Sequence, residues 1–397
     1  MESAKNINSN TQTSPKNSEK IVILGTGFIA GYLNKGLHQL FLSQRQSMEG
    51  NVCAIGKHPE KLAARSKILK DCILCTDPIK DVLLRFHPTI IMIAVPPTVA
   101  ATVAKETLLP YYNELRATSK SLPDLYSFTP TPDEYWYANL LGNDIPIVKI
   151  LPNIFTDVHG IDITSVGINT ISPTPAFEAS DHRFLLSTIL SPYGKTVSLS
   201  ASEALIFLSG KITSHVCCEA SFCIQKATQK AGLSLSLNDI GKGFQYAQRK
   251  FTTLFEDPIP ALRQCDQLPA SLQQFIQNFS DAWFDGLHDF TRSMPVCVPD
   301  EEALFLDVCS YALNTIGIAV KTKSELEQDT KNAATKGGVL ERGIEYFHEV
   351  IEQDLFKQAF LTASGDSILP DYWEKLRSQA YNLSLEAFKR SKTLTSH

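Results

Sequence analysis

Gly25 and Gly27, with Ala30 three residues further on, are the positions whose types and spacing point most directly to chemistry. Gly25-Thr26-Gly27-Phe28-Ile29-Ala30 follows an apolar run, Ile21 to Leu24, and leads into Leu33 and Leu37 at helical spacing. Strand, tight turn and helix in that order are the context in which G-x-G-x-x-A holds a dinucleotide. Gly25 permits the sharp turn. Gly27, lacking a Cβ, lets the backbone approach a pyrophosphate, and Ala30 lets the helix pack closely on the strand. The unbonded N–H groups and the positive end of the helix then face the phosphates. The other reading is a glycine turn in an α/β sheet with no ligand.

Asn51 to Ile55 reads as a second strand, and the loop after it selects between cofactors. An acidic residue there would bond the ribose 2′-hydroxyl of NAD, whereas basic residues suit the 2′-phosphate of NADP. The chain carries Gly56-Lys57-His58 with Arg65 nearby and no acid at the strand end, so NADP is expected and NAD remains possible. Lys57 and His58 would otherwise merely solvate a loop. Thr89 to Val95 is a buried strand that runs into Pro96-Pro97, and Ala94, Val95 and Pro96 are expected beside the nicotinamide half. Asn153, after the strand Pro146 to Leu151, could bond the nicotinamide or substrate, or close an Asx-turn.

A second group of candidates is Ser209-Gly-Lys-Ile-Thr-Ser-His215. If Ser209 caps a helix, hydroxyl, ammonium and free N–H groups converge where a substrate carboxylate would sit. Lys211 could pair with that carboxylate and His215 could donate a proton. A plain N-cap, a solvated lysine and a core histidine are the corresponding structural readings. Thr335 with Gly337-Gly338 is expected to open another helix at the substrate site. Adjacent Cys217 and Cys218 near His215 have no zinc-ligand spacing, and no metal is expected. Asp281, Asp285 and His288 lie on a helix whose Trp283, Phe284, Leu287 and Phe290 read as core, so its acids are expected in water.

Strands and helices alternate from residue 20 to about 201, which predicts one doubly wound α/β domain of Rossmann type. From 202 to 388 the period becomes helical throughout, predicting an all-α domain for substrate and dimerisation. Residues 1–19 and 389–397 are rich in small polar residues and lysine, and are expected to be tails. The fold class is therefore α/β, a doubly wound sheet followed by an all-α half.

Several of these segments, taken in order, resemble the pyrroline-5-carboxylate reductase family. They are Gly25 to Ala30, Ala94-Val-Pro-Pro97, Ile150-Leu-Pro-Asn153, Leu208-Ser-Gly-Lys-Ile-Thr-Ser-His215 and Thr335-Lys-Gly-Gly-Val-Leu340. The resemblance spans about residues 20 to 350, with an apparent insertion near 245–300. It implies hydride transfer from NAD(P)H to a C=N bond, a cleft between the two domains, and a homodimer that interleaves its helices. The chain departs from the family at Pro96, where the family has lysine, at Lys211, where it has serine, and at Leu340, where it has threonine. A leucine cannot hydrogen-bond an imine nitrogen or a carboxylate.

The net charge of −5 gives no reason to expect nucleic acid or an acidic membrane surface as partner. No apolar run approaches the ~20 residues of a spanning helix. Nine scattered cysteines, an odd number, are expected as reduced thiols in a cytoplasmic protein. Three functions follow. The first is reduction of a cyclic imine related to pyrroline-5-carboxylate, an amino-acid metabolite. The second is an opine-type or other hydroxy- or amino-acid dehydrogenase with His215 as its acid. The third is a nucleotide-binding protein without catalysis.

Overall fold

In a computed structural model, the structure describes residues 19–152, 168–252, 268–295, 304, 322–333 and 338–395. The chain opens with β1 (Ile21–Leu24), α1 (Phe28–Ser43), β2 (Val52–Ile55), α2 (Pro59–Arg65), β3 (Ile73–Cys75) and α3 (Ile79–Phe86). Next are β4 (Ile90–Ile93) and a continuous rod of α4 (Pro97–Val103), a wide turn over Ala104–Leu108, and α5 (Leu109–Ala117). β5 (Asp124–Ser127), α6 (Glu134–Leu141), β6 (Ile147–Leu151) and β7 (Ile168–Pro173) follow. Among the described residues these strands and β8 (Lys195–Ser198) form one sheet in the order β3-β2-β1-β4-β5-β6-β7-β8. All neighbours run parallel except β6 and β7.

Residue types explain the layering. Ile21–Leu24, Val52–Ile55 and Ile90–Ile93 are buried throughout, as strands covered on both faces require. Ile23, Met92, Tyr126 and Val148 meet α1, α7 (Pro175–Glu178) and α8 (Arg183–Leu190) on one face. Leu24, Ile93, Leu125 and Ile147 meet α3 to α6 on the other. α1 and α8 touch at Gly36, where a Cβ would collide with the carbonyl oxygen of Ile189. The Tyr193 hydroxyl sits at the same place. It accepts from the Gly36 N–H at 2.9 Å and donates to the Tyr32 carbonyl, so it bridges two groups that a regular helix joins directly.

A capping box, Ser200 with Glu203, starts α9 (Ala201–Lys211). α10 (Thr213–Lys230), α11 (Leu237–Thr252) and α12 (Ala270–Ser293) come next. The remaining helices are α13 (Lys323–Ala333), α14 (Val339–Tyr346), α15 (Glu352–Ser364) and α16 (Tyr372–Thr395). They enclose a core that includes Phe244, Phe279, Trp283, Leu355 and Leu383. α12 falls within the segment expected as an insertion, yet its Phe275, Phe279 and Trp283 are central to that core. Asp285 on this helix is exposed, as expected. The tail expected from 389 is instead the end of α16, which runs to Thr395 with Ser391 buried. Leu383, Ala387 and Ser391 recur every four residues, and that stripe holds the helix down. The tail expected at 1–18 lies outside the described residues. No helix among them is long and apolar enough to cross a membrane.

At the amino edge of the sheet, the His182 Nδ1 lies 3.2 Å from Asp124 and its Nε2 3.7 Å from Glu19. Asp124, with help from Glu19 and Asp181, raises the pKa of His182 above the ordinary imidazole value. A group raised on folding stabilises fully below its unfolded pKa, about 6.5. That contribution disappears as pH climbs through the folded value. Urea midpoints should therefore separate wild type from His182→Gln more at pH 5.5 than at pH 8.5; an equal gap at both would refute the linkage.

Candidate nucleotide and substrate site

Three loops meet where β1, β2 and β4 end. Gly25 follows β1 with φ +118°, which an L side chain rarely adopts, and a Cβ there would drive into the Ala94 carbonyl oxygen. The first glycine of the turn is thus held against the end of β4, beside Ala94 and Val95. Thr26 packs on Gly56 in the same way, because a Cβ on Gly56 would strike the Thr26 hydroxyl. β1 and β4 are neighbours in the sheet although β2 and β3 lie between them in sequence, so their carboxyl ends flank the topological switch point. Open α/β sheets bind ligands at that crevice.

Gly27 caps α1, with nothing within 4 Å of a Cβ placed on it. The first turn of α1 carries no acidic residue, so its positive end is uncompensated. Phe28 and Ile29 are half-buried, and Ala30 is fully buried against the sheet. Lys57 and His58 are exposed on the loop after β2, with His58 3.2 Å from Glu60 in the first turn of α2. Pro96, exposed, caps α4. A dinucleotide fits this arrangement: the turn is tight where glycine is required and open where a phosphate would approach. Asn153 lies outside the described residues.

The expected substrate group is arranged differently. Ser209 does not cap a helix. It lies inside α9, fully buried, and its hydroxyl donates to the Leu205 carbonyl at 2.6 Å. Ser200, nine residues earlier, has taken the cap. Lys211 is in the last turn of α9, not the first turn of a helix. His215, on α10, is buried, and burial with the nearby Lys211 charge lowers its pKa to about 3. The imidazole is therefore neutral across the physiological range and holds no proton to act as an imidazolium acid. Cys217 and Cys218 are buried, and Glu219 turns to Lys323 on α13. Thr335 and Gly337 lie outside the described residues, but α14 does begin at Val339 with Gly338 as its cap. A Cβ on Gly343 would strike Ile212, so α14 packs against the junction of α9 and α10. Leu340 packs on the apolar core of the helical half.

One cluster was missed. Lys149 sits in the run Ile147-Val-Lys-Ile-Leu151 and is 2% exposed, on the α6 face of the sheet. Glu134, in the first turn of α6, is 1% exposed, and its Oε2 accepts no hydrogen bond among the described residues. No ion pair within 4.0 Å joins the two. Burial raises Glu134 to about 7 and lowers Lys149. Beside them the Ser127 and Thr129 hydroxyls bond each other at 2.9 Å, and the Tyr137 phenol faces both without closing a hydrogen bond to either. The signal was present in the sequence: a lysine inside an otherwise apolar parallel strand.

No family model and no curated protein matches the chain. Among solved structures, it is similar to a pyrroline-5-carboxylate reductase from Coxiella burnetii, with 14% identity and TM-score 0.38 over 91% of this chain and 99% of that one. It is similar to a prephenate dehydrogenase from A. aeolicus, with 11% identity and TM-score 0.39 over 88% and 95%. A probable 2-dehydropantoate 2-reductase from Bacillus subtilis gives 14% identity and TM-score 0.35 over 92% and 99%.

Proposed function

We propose that the chain is an NAD(P)H-dependent reductase of a C=N substrate, a cyclic imine related to pyrroline-5-carboxylate. The observation that carries the nucleotide reading is the Gly25 turn wedged against Ala94, with open space over Gly27 at the positive end of α1, where no side chain bonds the first N–H groups. Gly25 to Ala30 would hold the pyrophosphate, and Ala94, Val95 and Pro96 would border the nicotinamide half. Lys57 and His58 favour the extra phosphate of NADP over NAD, because both are exposed on the loop where the ribose would lie. When bound, the reduced cofactor supplies a hydride. The protein excludes water, orients the substrate and provides a proton.

The C=N part of the reading rests on the ordered motifs and on the placement of α14 against the α9–α10 junction. The dehydrogenase alternative needed His215 as an acid, and its buried, neutral state speaks against that. Titrating cofactor fluorescence with NADPH and NADH, then screening imines and keto acids, tests the proposal. NADPH bound more tightly than NADH, with turnover of an imine, is the expected result. NADPH bound without turnover of any imine would leave the non-catalytic reading in its place.

A further inference from the structure

The carboxyl-edge row of the sheet runs Ile55, Leu24, Ile93, Ser127, Lys149 across five strands. Leu24 is the residue before Gly25, so Lys149 lies in the row from which the nucleotide turn springs. Parallel strands are about 4.8 Å apart, which puts the Lys149 backbone about 10 Å from Ile93 and about 14 Å from Leu24. Ile55, Leu24 and Ile93 point their side chains into the same α3–α6 layer that holds Glu134 and Tyr137. In this row the apolar side chains give way to polar ones at Ser127, on the strand next to β4.

An ammonium and a carboxyl buried together ordinarily close into an ion pair, since each alone is costly in an apolar interior. Here they stay apart, with three hydroxyls at hand. The charged groups facing Glu134 are Lys149 from β6 and Asp133 from its own helix cap, whose carboxylate is occupied by the Trp136 N–H. Lys105, from the wide turn between α4 and α5, lies over the Trp136 ring next door. We propose that Glu134 and Lys149 form a proton store for the cleft, connected to it by the Ser127 and Thr129 hydroxyls.

This rests on the reductase reading. Reduction of C=N places one proton on nitrogen for each hydride placed on carbon. Glu134 gives that proton up along the hydroxyls, is left as a carboxylate beside Lys149, and is reprotonated by the same route. Its near-neutral pKa suits both halves of the cycle. Glu134 and Lys149 act through other groups, so they are positioning residues here.

Cofactor binding brings negative charge to the same edge of the sheet and should draw protons onto the pair. The test is calorimetry of NADPH binding at pH 7 in two buffers of different ionisation enthalpy, on wild type, Glu134→Gln and Lys149→Met. Methionine keeps the length and apolar fit of the lysine stem, so one variant folds even if the other does not. Wild type should show proton uptake, and either variant should lose about half of it or more. Groups outside the pair contribute equally to all three proteins and cancel in the difference. Binding with the same proton uptake in all three overturns the store alone. No binding by wild type sinks the nucleotide reading and the store with it. With turnover in hand, Glu134→Gln should lower kcat and flatten its pH profile while KM holds.

Discussion

Gly27→Asp should fold as the wild type does and lose NADPH. The position has open space around its missing Cβ, and its φ of −79° is one that any residue adopts, so the fold has no reason to object. The new carboxylate would stand at the start of α1, where the phosphates are expected. Two unit charges 4 Å apart at a partly screened site repel by about 4 kcal/mol, so affinity should fall about 100-fold or more. An unchanged thermal midpoint with weakened cofactor fluorescence is the expected pair of results. Wild-type affinity in this variant would show that the turn is only architecture, and every proposal about the cleft would then fall.

Gly25→Ala should do the opposite and damage the fold itself. The residue would be forced to φ +118°, and its Cβ would meet the Ala94 carbonyl, which is backbone and cannot swing aside. Backbone strain alone costs about 1–3 kcal/mol. Separating β1 from the end of β4 adds to it, and a total of about 4 kcal/mol is the exceptional range for one substitution. At about 2–4 °C per kcal/mol for a domain of this size, the thermal midpoint should drop by about 10 °C. A drop of under two degrees would mean that the loop relaxes freely and that the contact with Ala94 does not hold it.

The glycine turn and the strands around it were legible because their signals are local. Ile21 to Leu24 is too short and too apolar for anything but a buried strand, and the glycines follow at once. Asp133 starts α6 by the same local logic, its side chain accepting from the Trp136 N–H. Pairing was less legible: the period of β7 reveals a strand but not that it runs antiparallel to β6. Ser209 misled for a physical reason. Serine favours caps, and glycine after it looks like a break, but Ser200 and Glu203 satisfy the helix start nine residues earlier, and the serine hydroxyl then bonds back along its own helix. Gly210 is there because Leu304 and Leu287 crowd it, which no local pattern reveals. The end of α16 was hidden by lysines and small polar residues that mask a stripe of period four. Glu134 and Lys149 are fifteen residues apart and share one layer only through the packing of α6 on β6.

The hydroxyl of Tyr193 acts by leverage. It wedges between the Tyr32 carbonyl and the Gly36 amide, while its ring stacks on Tyr32 at 4.1 Å. Tyr32 in turn stacks on Phe28, the first residue of the helix that points at the crevice. The amino end of α1 is therefore aimed from a fulcrum 161 residues downstream, on the turn that leads into β8 and the helical half. Residues 191–194 therefore bear on the amino end of α1 without touching a single residue of the glycine turn. In this molecule the aim of α1 and the path of the chain into the helices that follow share one screw.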